Sequence, residues 1–409
     1  MKKIFLLSLI LPIICFFPIN IYASSDQYTW STFDLTTEVS NNLNTASISD
    51  SENPLNLECG SCILMEQHTG KILYSYNPHE QLRPASVTKL MSIYLIMEAL
   101  SQGKINYDTK IPCSENAESM GGSQIWLTTT ENLTVDEMLK AICVVSANDC
   151  VTAMAEFLGG TEENFVNMMN EKAKELNMKD TCFKNCHGID EDGHVMSAYD
   201  IAILSCSLLN DYPEITKYTT IYMDSLRDGQ SSLVNTNKLV RNYSGCTGLK
   251  TGSTSLALYN LSASASKNGM DLVAVVMKAP TSAIRFKNAS SLLDYGFTNF
   301  EYKQLINKND IVKTISVPKG INSPIELQAK TDCGVILSKG KDTNIEQVVS
   351  VANNIEAPIS KGDELGKITY ILDGETIAEC SLVASQDVPK INIFSMEQSI
   401  FKNWATLLR

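Results

Sequence analysis

Apolar and polar positions change texture several times along the 409-residue chain. It opens with Lys2 and Lys3, the apolar run Ile4–Ile19, and Ile21-Tyr-Ala23. A basic start, an apolar stretch and a terminal small residue predict a secretory signal peptide over residues 1–23, cut at Ala23–Ser24. An uncleaved anchor is the alternative. Residues 24–53 are dominated by Ser, Thr, Asn and Asp without periodicity and predict a disordered leader.

From residue 54 to 300 hydrophobic helical stretches alternate with short strand-like runs. Between Leu90 and Leu100 only Ser92 and Glu98 are polar, which predicts a helix that is apolar all round and therefore buried. Leu133-Thr-Val-Asp-Glu137 opens another helix, with Thr134 and Glu137 at capping-box spacing. Leu261–Ala265 and Leu272–Met277 read as strands. Past Phe300 come short strand candidates at Ile311–Val317, Ile325–Ala329, Glu346–Asn353 and Lys367–Leu372. Turn signals at Lys361-Gly-Asp and Leu372-Asp-Gly separate them, so residues 301–390 are expected to form a β-sandwich domain. In the last segment, 391–409, Ile393, Phe394, Ile400, Phe401, Trp404 and Leu408 gather on one side of a helix. It is too short to span a bilayer and is expected to lie on the membrane surface. Packing against its own protein is the alternative.

Charge and cysteine content narrow the function classes. The net charge of −13 excludes a basic nucleic-acid footprint. Cys59-Gly-Ser-Cys62 and Cys182–Cys186 have metal-like spacing, but no Cys/His pair follows at zinc-finger distance. Core thiols or a local disulfide are expected there, with no metal and no cofactor.

Three short motifs carry the chemistry. Ser86-Val-Thr-Lys89 opens the apolar helix, Ser146-Ala-Asn148 interrupts a helical region, and Lys250-Thr251-Gly252 leads into strand-like sequence. Each alone is weak; their order and settings together are strong. A serine hydroxyl becomes a nucleophile only when a neighbouring base takes its proton. A lysine can be that base if burial and nearby positive charge lower its pKa. The i,i+3 spacing puts Lys89 beside Ser86, the apolar helix buries it, and Lys250 adds a second cation. Ser146 and Asn148 can relay protons and orient a substrate. Lys250 and Thr251 suit an anionic group, Gly252 leaves room for a backbone, and the amides of Ser86 and Ser253 are candidate oxyanion donors. A Ser-His-Asp triad fails, because the chain has four histidines and no G-x-S-x-G elbow.

The motifs resemble those of the penicillin-recognising serine enzymes. Longer phrases resemble the low-molecular-weight penicillin-binding proteins, specifically the D-alanyl-D-alanine carboxypeptidases: P-A-S-V-T-K-L-M, M-G-G-S-Q-I-W-L, L-K-A-I-C-V-V-S-A-N-D, H-G-I-D-E-D-G-H-V-M-S-A-Y-D and L-K-T-G-S-T. The likeness runs from Asn56 to the C-terminus. It implies an α/β fold of the serine β-lactamase/DD-peptidase type, an antiparallel sheet flanked by helices, with the β-domain and membrane-anchor helix following. It also implies removal of the terminal D-alanine from peptidoglycan pentapeptide stems through an acyl-enzyme on Ser86, and covalent inhibition by β-lactams. The resemblance places an arginine, here Arg285, where it helps hold the substrate carboxylate. Such a protein works at the outer face of the cytoplasmic membrane or in the cell wall. Two departures stand out: Thr247-Gly248 where the family often has Asp-Gly, and Ala257-Leu258 where Ala-Gly is common. A class A β-lactamase would need E-x-x-L-N after S-x-N, which is absent. A non-hydrolysing penicillin receptor should carry spanning helices, and the chain has no 18-residue apolar run after residue 23.

Overall fold

The computed structural model describes residues 53–391, apart from 322 and 341–343. The expected signal peptide, nearly all of the leader and the terminal amphipathic helix lie outside the described residues.

The first domain is built on an antiparallel five-stranded sheet of β1 (Ser61–Glu66), β2 (Ile72–Tyr76), β3 (Cys246–Thr254), β4 (Leu258–Lys267) and β5 (Met270–Ala279). Their spatial order is β2-β1-β5-β4-β3, so β3 forms one free edge. Side chains on a strand alternate between faces, and both faces here are covered, which is why β1 and β5 read as nearly unbroken apolar runs. Leu64, Leu272, Ala274 and Val276 face one way, onto Ala289, Leu292 and Leu293 of α5 (Ser282–Asn299). Ile63, Met65, Val273, Val275 and Met277 face the other way, into the main core. That core also takes α1 (Lys89–Ser101), α2 (Val135–Val144), α3 (Asn148–Gly159) and α4 (Ala198–Asp211).

Helix α1 is the centre of the helical layer. Lys89 to Met97 and Ala99 are all buried, as its all-round apolar pattern requires. Each fully buried Leu, Ile or Met there contributes about 1.5–3 kcal/mol. The hydroxyls of its buried residues are satisfied: Ser92 donates to the Cys186 carbonyl at 2.7 Å and Tyr94 to Asp211 Oδ2 at 2.8 Å. Helix α2 starts where the capping box places it. The Thr134 side chain accepts from the Glu137 amide, and Glu137 reaches back to the Thr134 amide. It ends at Val144, and the chain turns through Ser146 at φ 67 before α3 resumes at Asn148.

The second domain follows α5 directly and is all-β. Strands β7 (Ile311–Ile315), β8 (Ile325–Ala329), β10 (Glu346–Val351), β11 (Glu364–Leu372) and β12 (Glu375–Ala384) form a sheet in the order β7-β8-β12-β11-β10. Strands β6 (Phe300–Ile306) and β9 (Cys333–Ser338) pair separately. Ile306 joins Leu327, Ile368, Tyr370 and Leu382 in one small core. Strands β9 and β12 escape a period-two search for different reasons: β9 buries three consecutive residues, Val335, Ile336 and Leu337, and in β12 the buried alternates are Cys380, Leu382 and Ala384. The cysteines from Cys59 to Cys380 are free thiols, so the expected alternative of a local disulfide at Cys59–Cys62 or Cys182–Cys186 is not realised.

Candidate active site

Ser86 sits just ahead of α1, on a single 3-10 turn, Ala85–Thr88, rather than inside the helix. Ala85 adopts φ 49, an uncommon conformation for a residue with a side chain. The loop at 187–194 secures this turn. A Cβ on Gly188 would lie 1.9 Å from the Ala85 carbonyl oxygen, so only glycine lets that oxygen pass. Nearby, His194 accepts the Lys184 amide on Nδ1 at 3.0 Å, which leaves the proton on Nε2 for Thr88 Oγ1 at 2.7 Å. Burial holds His194 down to about 4, so the imidazole stays neutral.

Lys89, the first residue of α1, is fully buried. Its Nζ lies 3.0 Å from Ser86 Oγ, 2.6 Å from Asn148 Oδ1 and 2.6 Å from the His187 carbonyl. Asn148 cannot be turned round, because its Nδ2 donates to the Gly121 carbonyl at 2.7 Å. Its backbone amide donates to the Ser123 carbonyl at 2.7 Å, so the segment 121–123 fixes the residue twice. The neighbouring Asp149, also buried, accepts the amides of Ile125 and Leu127 at 3.0 and 2.9 Å and continues the brace. Ser146 is buried with its Oγ unpartnered among the described residues.

The third motif lies on the free edge of the sheet. A Cβ on Gly252 would come within 2.7 Å of the Pro84 carbonyl oxygen and 2.9 Å of the amide nitrogens of Ser86 and Val87. The glycine thus lets β3 run against the turn that carries Ser86. Lys250 is buried and donates to the Thr251 carbonyl at 2.9 Å. Thr251 donates to Thr236 Oγ1 at 2.7 Å, and Ser253 is exposed. Arg285 reaches in from α5: its Nη1 donates to the carbonyls of Gly252 and Asn260 at 3.1 and 3.2 Å, and its Nε has no partner among the described residues.

A hydroxyl fixed beside a buried amine, an amide and a second cation on a sheet edge is the equipment of a serine acyl-transfer enzyme. Residues 47–281 match the D-alanyl-D-alanine carboxypeptidase family, and residues 300–390 match the C-terminal domain of penicillin-binding protein 5. The chain belongs to the D-alanyl-D-alanine carboxypeptidase family. It is a serine-type peptidase of that family. It is 44% identical over 351 residues to D-alanyl-D-alanine carboxypeptidase DacF of Bacillus subtilis, covering 85% of this chain and 90% of that protein. Penicillin-binding protein 5 of Haemophilus influenzae superposes with a TM-score of 0.72 at 32% identity, covering 83% of this chain and 100% of that one. Penicillin-binding protein D2 of Listeria monocytogenes, solved in an ampicillin-bound form, superposes at 0.55 with 28% identity, covering 60% of this chain and 100% of that one.

The charges of this carboxypeptidase site act on one another. Burial holds the Lys89 amine well below its usual range, and the Lys250 cation pushes the same way. Burial likewise brings Lys250 down to about 7, with Arg285 contributing. Burial lowers Arg285 to about 10, so it remains a cation at neutral pH. In the neutral form of Lys89, which burial favours, the hydrogen bonds can be assigned. The amine has two N–H groups and one lone pair; Asn148 Oδ1 and the His187 carbonyl can only accept, so they take the N–H groups. The lone pair is left for the Ser86 hydroxyl.

The structure joins Ser86, Lys89 and Asn148 directly and packs Gly252 against the Ser86 amide. It sets Thr251 and Arg285 around the same strand. Sequence reasoning named none of Asp149, Gly188, His194 or Thr236 as site residues. Gly188 and His194 lie within the phrase H-G-I-D-E-D-G-H, and that run of glycines and histidines beside acidic residues was the available signal.

Proposed function

We propose that Ser86 is the nucleophile of a peptidoglycan D-Ala-D-Ala carboxypeptidase, with Lys89 as its base. The observation that carries this reading is the fully buried Lys89 Nζ, 3.0 Å from Ser86 Oγ and committed to two carbonyl oxygens. Ser86 Oγ attacks the carbonyl carbon of the penultimate D-alanine as its proton passes to Lys89 Nζ. The amides of Ser86 and Ser253 receive the charge that develops on the carbonyl oxygen. The C–N bond breaks as the leaving amine takes a proton, for which the unpartnered Ser146 hydroxyl is the relay from Lys89. D-Alanine departs and an ester remains on Ser86. Water then attacks that ester, giving a proton to Lys89, which returns it to Ser86 Oγ as the ester C–O bond breaks, and the shortened stem leaves as a carboxylate.

Lys250 and Thr251 hold the terminal carboxylate. Arg285 acts one step removed. Its Nη1 already serves two backbone carbonyls, so it steadies the β3–β4 pairing at Gly252 and Asn260 and lends positive potential. β-Lactams enter by the same route and leave an acyl group on Ser86, in keeping with the ampicillin-bound form of the Listeria relative. The protein works outside the cytoplasm, where its polymer substrate lies, with residues 1–23 as export signal and 391–409 resting on the membrane surface.

Two outcomes follow. Purified protein should release D-alanine from a peptidoglycan pentapeptide, and Ser86→Ala should lower that release by about ten-thousandfold or more. Retained release in Ser86→Ala would remove the nucleophile assignment. The pH profile should also split. Lys250 must be protonated to attract a carboxylate, and its pKa of about 7 means kcat/KM falls as pH rises past that value. A bound carboxylate stabilises the protonated form, so kcat should persist to higher pH. A kcat/KM that stays flat to pH 9 would contradict this role.

A further inference from the structure

Thr251 has a single O–H with which to grip an anion, and a lone hydroxyl on an open sheet edge is free to rotate. Here it is not free: its Oγ1 lies 2.7 Å from that of Thr236. Thr236 stands in Asn235-Thr236-Asn237, half-buried between two buried asparagines. Asn235 Nδ2 donates to the Ile221 carbonyl at 2.7 Å, and its Oδ1 accepts the Asn237 amide at 2.8 Å. Asn237 Oδ1 in turn accepts the Leu239 amide at 3.1 Å, while its Nδ2 is buried without a partner among the described residues. The Thr236 amide donates to the Val144 carbonyl, the last residue of α2, at 3.1 Å. This turn therefore ties the end of the helix before Ser146 to the strand that carries Thr251. The turn keeps the Asn237 side-chain amide unsatisfied among the described residues while it holds one hydroxyl against another.

We propose that Thr236 is a positioning residue for the substrate's terminal carboxylate and sets the preference for ligands that carry one. In the free site Thr251 donates to Thr236. When the carboxylate arrives both hydroxyls turn: Thr236 donates to Thr251 Oγ1, and Thr251 directs its own proton at the anion. No proton changes owner. The second hydroxyl polarises the first, as in any chain of hydrogen bonds, and fixes its direction. The inference rests on the carboxypeptidase reading above and concerns only how that site selects its ligand.

The test compares wild type, Thr236→Val, which keeps the shape without the hydroxyl, and Thr236→Ser, which restores it. D-Alanine release from an acyl-D-Ala-D-Ala peptide gives kcat and KM. Acylation of Ser86 by benzylpenicillin and by its methyl ester, followed by intact mass, gives a carboxylate-to-ester preference without turnover. In Thr236→Val the peptide KM should rise about tenfold with kcat within about twofold. The preference for penicillin over its ester should fall by a similar factor, and Thr236→Ser should recover both. An equal loss for penicillin and ester, or an unchanged preference, would overturn the inference and leave Thr236 a structural residue. A wild type that releases no D-alanine would instead defeat the reading on which the inference stands.

Discussion

Lys89→Met is expected to slow acylation of Ser86 by about a thousandfold or more while the protein stays folded. General-base assistance by a positioned side chain is worth about 10²–10⁴-fold. Here no second base lies ready to replace it. Ser86 Oγ has Lys89 as its one hydrogen-bond partner among the described residues, and burial pushes the imidazoles nearby far down, His187 to about 3 and His194 to about 4. His187 meets Lys89 through its backbone carbonyl, not its ring. The substitution leaves two carbonyl oxygens without a donor, at about 1–3 kcal/mol each, but it also removes an amine whose charging was opposed by burial. Folding should survive. The rate of penicillin attachment, followed by mass, checks the expectation; a variant within tenfold of wild type would show that Ser86 is activated by something else.

Gly188→Ala is expected to damage both stability and acylation, although residue 188 touches no substrate in this account. Its Cβ would sit 1.9 Å from the Ala85 oxygen, 2.4 Å from the Ala85 carbonyl carbon and 2.9 Å from Thr88 Oγ1, with backbone φ at 87. Left-handed backbone costs alanine about 1–2 kcal/mol, and forcing atoms into a packed site costs about 1–3 more. Relief can come only by moving the turn that holds Ser86. A melting temperature lower by roughly 5–10 °C, together with at least a tenfold slower penicillin attachment, is the expected pair. Wild-type melting with wild-type labelling would mean that the turn at Ala85 is not held by this loop.

Much of this architecture is legible in the residues. The unbroken apolar run Leu272–Met277, the all-round apolar Leu90–Leu100 and the Thr134–Glu137 box each depend on neighbours in sequence, and each forms the element it announces. Even so, the α-helix begins at Lys89 with Ser86 one turn earlier, because Ala85 takes a conformation that local spacing does not reveal. What stays hidden depends on chain brought from far away. Gly188 matters because Ala85 passes over it, and Thr236 because Thr251 stands opposite. Arg285 shows both sides: its position after the Lys-Thr-Gly motif is readable, but its engagement with the Gly252 and Asn260 carbonyls is not.

The central claim is that Ser86, activated by neutral Lys89, carries the acyl group. The most direct measurement is a proteolytic mass map of the protein after brief exposure to benzylpenicillin, run beside Ser86→Ala. The expected result is one penicilloyl adduct, on the peptide that contains Ser86, and none in the variant. An adduct on another residue, or labelling that persists in Ser86→Ala, would contradict it.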